Sequence, residues 1–251
     1  MAALASVPAS PPDKLAHLVW RGDRLAAPSA PGLSTGHARL DAALPGGGWP
    51  VGALTEILVP RTGVGELALL LPLLARTPAK RWAVCVAPPE PPYAPALAAA
   101  SVPLERLLFV RADSPAHARW AARQALDSHS CAAVVLWLAD ADMAALRRLQ
   151  LAAEESATPL FLIRPDSLAN QASPAVLRLA LRARIGGVDL HILKRRGPQL
   201  AGPIALDLPG PTGPLAPAAL PARPAGGASV HALVRPSPAR SGPADLRAGT
   251  R

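Results

Sequence analysis

Glu66 and Leu67 stand where a phosphate-binding loop would place its lysine and its hydroxyl. That loop is written G-x-x-x-x-G-K-[ST]. Pro60-Arg-Thr-Gly63-Val-Gly65-Glu66-Leu67 keeps only its second glycine, Gly65. The loop lysine neutralises β- and γ-phosphate charge, and the hydroxyl holds magnesium. Here a carboxylate replaces the cation and an isobutyl group replaces the metal ligand. A helix N-terminus is itself an anion site. Glu66 can fill it with its own charge, which stabilises the helix end and repels a nucleotide. The residues read as a nucleotide-site scaffold stripped of its catalytic groups. An ordinary strand–turn–helix is the competing reading of the same eight positions.

The elements around this loop alternate. Ala53 to Val59 is a short apolar run with β-branched residues, as in a buried strand, and Leu67 to Ala75 is helix-prone with Pro72 inside it. Strands are expected at 82–87, 107–110, 132–138 and 160–163. Helices are expected at 93–100, 115–126 with Ser114 as cap, and 142–155. Upstream, Ser34 or Thr35 is the expected cap of a helix carrying Leu40 and Leu44, closed by the loop Pro45-Gly-Gly-Gly-Trp-Pro50. Such alternation implies a parallel sheet covered on both faces. From Leu177 the period becomes two: Leu177, Leu179, Leu181 and Ile185 alternate with Arg178, Arg182 and Arg184. Gly186-Gly187 is the expected two-residue turn, which would put Arg184 opposite Asp189 and Arg182 opposite His191. Val188, Leu190 and Ile192 carry the return strand, Lys194-Arg195-Arg196 closes the hairpin, and 204–208 adds a last strand.

The chain has 251 residues and a net charge of +9, so acidic partners such as nucleic acid compete with a composition-driven excess of arginine. Many of its 31 prolines fall in the two ends. Residues 1–33 read as a flexible segment with a short helix within 13–25, 34–208 as the core domain, and 209–251 as a disordered Pro/Ala/Arg-rich tail. Cys85 and Cys131 sit in apolar runs and read as buried thiols of a reducing cytosol. Neither a metal site, a signal peptide nor a membrane span is expected.

Several stretches in order resemble the core of RecA-type recombinases. They are Ser34-Thr-Gly36…Leu40-Asp41, Gly46-Gly-Gly-Trp-Pro50, Glu56-Ile57, Pro92-Tyr-Ala94, Leu160-Phe-Leu-Ile163 and Lys194-Arg-Arg196. Others are similar to the ImuA family of bacterial damage-induced mutagenesis cassettes: Gly63-Val-Gly-Glu-Leu67, Ala87-Pro-Pro…Pro92-Tyr-Ala-Pro95, Leu146 to Glu155 and Leu193-Lys-Arg-Arg-Gly197. The resemblance spans about residues 33–208. It implies a RecA-like, mainly parallel twisted sheet flanked by helices, with a C-terminal antiparallel hairpin. It also implies a cytoplasmic, non-catalytic accessory role in translesion DNA synthesis. The implied partners are an ImuB-like inactive Y-family polymerase adaptor and an error-prone DnaE-type polymerase, with RecA and DNA as further candidates. The alternatives are a SulA-like cell-division inhibitor and an active RecA-type DNA-dependent ATPase.

Carried over residue by residue, the altered nucleotide site comprises Pro60, Gly63, Gly65, Glu66, Leu67, Tyr93 and Asp140. Tyr93 matches the aromatic position that stacks on adenine. Asp140 arrives late after the strand that should end on a magnesium-binding Asp, and Glu90 is the nearest carboxylate to the catalytic-Glu region. No cofactor is therefore expected. The segments matching the recombinase DNA loops are short, 139–142 and 164–174. The candidate contacts to a partner or DNA are instead Arg147, Arg148, Arg178, Arg182, Arg184, Lys194, Arg195 and Arg196. A solvated basic face is their competing reading.

Overall fold

A strand flanked on both edges and covered on both faces is hidden from water along its whole length, and β1 (Leu54–Val59) is buried at all six positions. In the computed structural model, which describes residues 30–198, 200 and 202–208, β1 lies inside an eight-stranded sheet. The expected N-terminal segment, its short helix within 13–25, and the tail at 209–251 lie outside the described residues.

The elements follow in chain order: α1 (Ala38–Ala43), β1, α2 (Glu66–Leu74), β2 (Trp82–Val86), α3 (Ala94–Ala99) and β3 (Leu107–Val110). Then come α4 (Pro115–Asp127), β4 (Cys131–Trp137), α5 (Met143–Ser156), β5 (Leu160–Pro165), β6 (Leu177–Arg184), β7 (Gly187–Lys194) and β8 (Ile204–Asp207). The sheet order is β3-β2-β4-β5-β1-β6-β7-β8. The first six strands are parallel; β7 pairs antiparallel with β6, and β8 antiparallel with β7. The expected fold class, a mainly parallel sheet between helices with a C-terminal antiparallel hairpin, is the one observed.

Strand alternation divides the interior into two cores. Ile57, Val135, Phe161 and Leu179 face α1 and α2, with Trp49 edge-on to Phe161 at a ring separation of 5.2 Å. Leu54, Val84, Val134 and Leu162 face α4 and α5. Ser114 caps α4 by accepting from the His117 N–H, and Asp142 caps α5 by accepting from the Ala145 N–H. Cys85 is fully buried, and burial pushes its thiol up to about 12; burial also raises that of Cys131.

Two local expectations are corrected. Ser34 and Thr35 do not cap α1, whose N-cap is His37. Instead the Ser34 hydroxyl and the Thr35 N–H both donate to the Asp41 carboxylate, at 2.8 and 2.7 Å. Partial burial raises the pKa of Asp41, but these bonds outweigh it and hold the carboxyl below its usual range. The hairpin turn is Ile185-Gly186, not Gly186-Gly187: Arg184 pairs with Gly187 and Arg182 with Asp189. Gly187 is needed inside the strand, because a Cβ there would meet the Leu206 carbonyl oxygen of β8 at 2.0 Å. The register differs by two residues, so the same side chains keep the same faces.

One charged side chain sits in β1. Glu56 is 0% exposed and lies between two buried arginines. Its Oε1 accepts from Arg164 Nη1 on β5 at 3.2 Å and from the Ser173 hydroxyl at 2.9 Å; its Oε2 accepts from Arg178 Nε on β6 at 2.6 Å. The arginines also donate to main-chain carbonyls of Ala139, Ala141, Leu168 and Ala169. Two guanidiniums against one carboxylate leave no slack. Glu56→Ala should therefore cost about 3–5 kcal/mol in urea unfolding, because it strands two buried cations. A loss near zero would show that water reaches the cluster.

Candidate functional site

The loop between β1 and α2 emerges at the carboxyl end of β1, where open parallel sheets place their ligand crevices. Two glycines shape it. Gly63 has φ +81°, and Gly65, the N-cap of α2, has φ +117°. A Cβ at Gly65 would also come within 3.0 Å of Leu208 and 3.2 Å of Val188. The turn thus presents backbone N–H groups at the start of a nine-residue helix.

Those groups already have a ligand. Glu66 is only 4% exposed, and its carboxylate folds back over the loop. Oε1 accepts from the Gly63 N–H at 2.8 Å and Oε2 from the Gly65 N–H at 3.1 Å. The side chain sits at the positive end of α2, where negative charge is stabilised. Leu67, at the hydroxyl position, packs against the core on the α2 face of the sheet.

Beside the loop is a cleft of about 400 Å³. Gly63, Gly65, Glu66 and Leu67 form one side, the proline-rich turn Pro88–Pro92 with Glu90 another, and Trp137 a third. Two carboxylates and several apolar rings suit a polyphosphate poorly. Tyr93 and Asp140 do not line this cleft. Tyr93 is half-exposed at the N-cap of α3, and Asp140 is exposed in the turn after β4. Pro60 lies on a second cleft, with Arg61, Arg164 and Trp137. Trp137 therefore borders both clefts, and its buried indole N–H has no hydrogen-bond acceptor among the described residues. An aromatic at the end of a buried strand gave no signal for this in the sequence. Among the described residues, no cluster of His, Cys, Asp or Glu is arranged to hold a metal ion, and no helix is long and apolar enough to cross a membrane.

The candidate basic contacts separate into three groups. Arg178 is not a surface residue: it is buried against Glu56, because its position in β6 lies directly beside β1. Arg182, Arg184, Lys194 and Arg195 are largely engaged within the fold. Arg182 pairs with Asp166 at 2.8 Å, and Arg184 pairs with Asp207 and approaches Asp189 at 3.5 Å. Lys194 donates to the Ser173 carbonyl, and Arg195 donates to the carbonyls of Ala43 and Pro198. Arg147, Arg148 and Arg196 are exposed. The hairpin is thus braced by its arginines more than it displays them.

A different surface is apolar. β3 forms one edge of the sheet among the described residues. Around it Trp120 of α4 is 66% exposed, and Leu108, Phe109 and Trp82 are also exposed. Trp82, Leu108 and Trp120 line one groove, and the Arg106 guanidinium lies 5.3 Å from the Trp82 ring centroid.

No protein-family profile matches the chain. It is similar to the ImuA proteins of two strains of Caulobacter vibrioides, NA1000 / CB15N and ATCC 19089 / CIP 103742 / CB 15. Each is 36% identical over 131 residues, which cover 50% of this chain and 54% of the relative. The resemblance to ImuA read from the motifs is thereby shown over half of the chain, which spans about half the length of these curated relatives. Among solved structures, SulA from Pseudomonas aeruginosa matches 44% of this chain and 97% of its own, at 29% identity and a TM-score of 0.38.

The Glu66 contacts make a measurable claim. Hydrogen bonds to a charged group contribute about 1.5–3 kcal/mol, so Glu66→Ala should lower unfolding stability by about 2 kcal/mol. It should also speed hydrogen exchange at the Gly63 and Gly65 amides. Unchanged exchange at both amides would show that the carboxylate does not hold them in solution.

Proposed function

We propose that this chain is a non-catalytic accessory protein of a damage-induced translesion DNA synthesis complex. It works by holding a polymerase-like partner, of the ImuB-like adaptor and DnaE-type polymerase class, rather than by turning over a nucleotide. The observation that carries the reading is the Glu66 carboxylate on the Gly63 and Gly65 amides. A γ-phosphate would need those donors, together with a cation and a metal ligand, and the chain supplies Glu66 and Leu67 instead. The similarity to ImuA supports the cellular setting.

For the partner surface, the apolar groove beside β3 suits the role better than the hairpin. A contiguous exposed apolar patch on a soluble domain marks a protein-binding site, and exposed tryptophans supply the large anchors that dominate such interfaces. The hairpin arginines, by contrast, are mostly spent on internal carboxylates and carbonyls. Arg147 and Arg148 on α5 remain as solvent-facing cations for a weaker contact with DNA phosphates.

Two measurements test the reading. Purified protein should show no ATP hydrolysis above background; steady turnover that disappears when Glu66 or Asp140 is replaced would overturn the non-catalytic assignment. Capture of the polymerase-like partner should fall by about thirtyfold or more in a Trp120→Ala/Leu108→Thr variant, the loss expected for a hot spot of about 2 kcal/mol. If capture survives that change but is lost in Arg182→Glu/Arg184→Glu, the partner docks on the hairpin instead.

A further inference from the structure

Another cavity, of about 260 Å³, lies at the end of the sheet opposite the loop at 60–65. Its walls come from the loop preceding β1, from α5, from the start of β6 and from the residues after β7. Pro45, Pro50, Val51 and Val176 make it apolar, and Glu154 and Arg196 bring opposite charges to it.

The polar groups are organised from behind. Gln150 is buried, with both ends of its amide in use. Its Oε1 accepts from the Leu54 N–H at 2.8 Å, and its Nε2 donates to Glu154 Oε1 at 2.7 Å. One oxygen of Glu154 is thus held in place one helical turn away, and the other is left for a ligand. Arg195 anchors the opposite wall by donating to the carbonyls of Ala43 and Pro198. That leaves the adjacent Arg196 guanidinium at the cavity. Among the described residues, no ion pair joins Glu154 to either arginine. An acidic and a basic residue therefore line one small cavity of mixed polar and apolar character without forming an ion pair.

We infer that this cavity binds a free α-amino acid with an apolar side chain. Its ammonium would pair with Glu154, its carboxylate with Arg196, and its side chain would lie against Pro45, Pro50, Val51 and Val176. Glu154 offers a partner to an ammonium, and Arg195 and Arg196 offer partners to a carboxylate. A free α-amino acid carries both groups on a small frame that the cavity can take. The volume of about 260 Å³ is slightly below the ~300 Å³ at which sites for drug-sized ligands begin, which suits a ligand the size of an amino acid. The site is independent of the loop at 60–65 and of the proposed role in translesion synthesis.

The test is isothermal titration of the full chain with L-leucine and L-phenylalanine. The controls are 4-methylpentanoate, which lacks the ammonium, and 3-methylbutylamine, which lacks the carboxylate. At least one amino acid should bind, with each truncated analogue weaker by about tenfold or more, as expected for loss of one charge-assisted contact. Glu154→Gln keeps the acceptor for Gln150 but removes the charge. It should weaken the amino acid about tenfold and leave the carboxylate analogue no weaker. Arg196→Gln should weaken the amino acid and the carboxylate analogue together. An unchanged unfolding midpoint in each variant shows that the fold is retained. No binding by either amino acid at about 10 mM, a concentration well above a millimolar Kd, overturns the inference, as does binding that neither substitution alters.

Discussion

The sheet is organised around a buried carboxylate shared by two arginines. Glu56 occupies the middle of a strand with no exposed position, and it is tolerable there only because Arg164 and Arg178 arrive from the strands on either side. Isolated, each of these charges would cost several kcal/mol to bury. Together they specify register. A one-residue slip of β1 would turn Glu56 toward the core of Phe161 and Leu179, and would leave both guanidiniums without a counter-ion. The constraint extends beyond the sheet. Further Nη donors of the two arginines bind carbonyls of the segments after β4 and β5, so those turns are drawn down onto the strand ends. They are tied to the central charge cluster.

The crevice above β1 follows the same economy of internal partners. Its amide donors are taken by Glu66, its hydroxyl position by a core leucine, and the hairpin's cations by Asp166, Asp189 and Asp207. Polar groups that would meet substrates in an enzyme of this shape meet other parts of the same chain. The largest exposed side chains near the sheet edge are apolar: Trp82 and Trp120, with Leu108 and Phe109 of β3.

Much of this was legible in the residues. The alternating apolar runs located every strand and helix described above to within a few positions. The charge swap at Glu66 anticipated the filled helix end. Arg178 was misread because period-two alternation assigns it to a basic face, and alternation is blind to what packs on that face. The counter-signal was Glu56 itself, a lone acid within Ala53-Leu-Thr-Glu-Ile-Leu-Val59 that required a buried cation. Gly186-Gly187 looked like a turn because glycine permits one. The second glycine answers instead to the close approach of β8, a contact between segments about twenty residues apart that no local pattern encodes. The buried indole N–H of Trp137 is invisible for a similar reason, since it depends on which loops cross the strand end.

The tethering of Glu66 has a consequence for timing. A ligand attached to its own receptor through two or three bonds has an effective concentration far above the millimolar level that even short flexible linkers give. Under the reading proposed above, occupancy of the cradle does not track the cell's supply of ATP, and no hydrolysis event resets it. Proteins that keep a working loop can use the nucleotide as a clock, assembling in one state and letting go in the other. A chain that carries its own stopper has no such clock under the reading proposed above. Under that same reading, the lifetime of an assembly it joins follows how much of the protein is made and how fast it is removed.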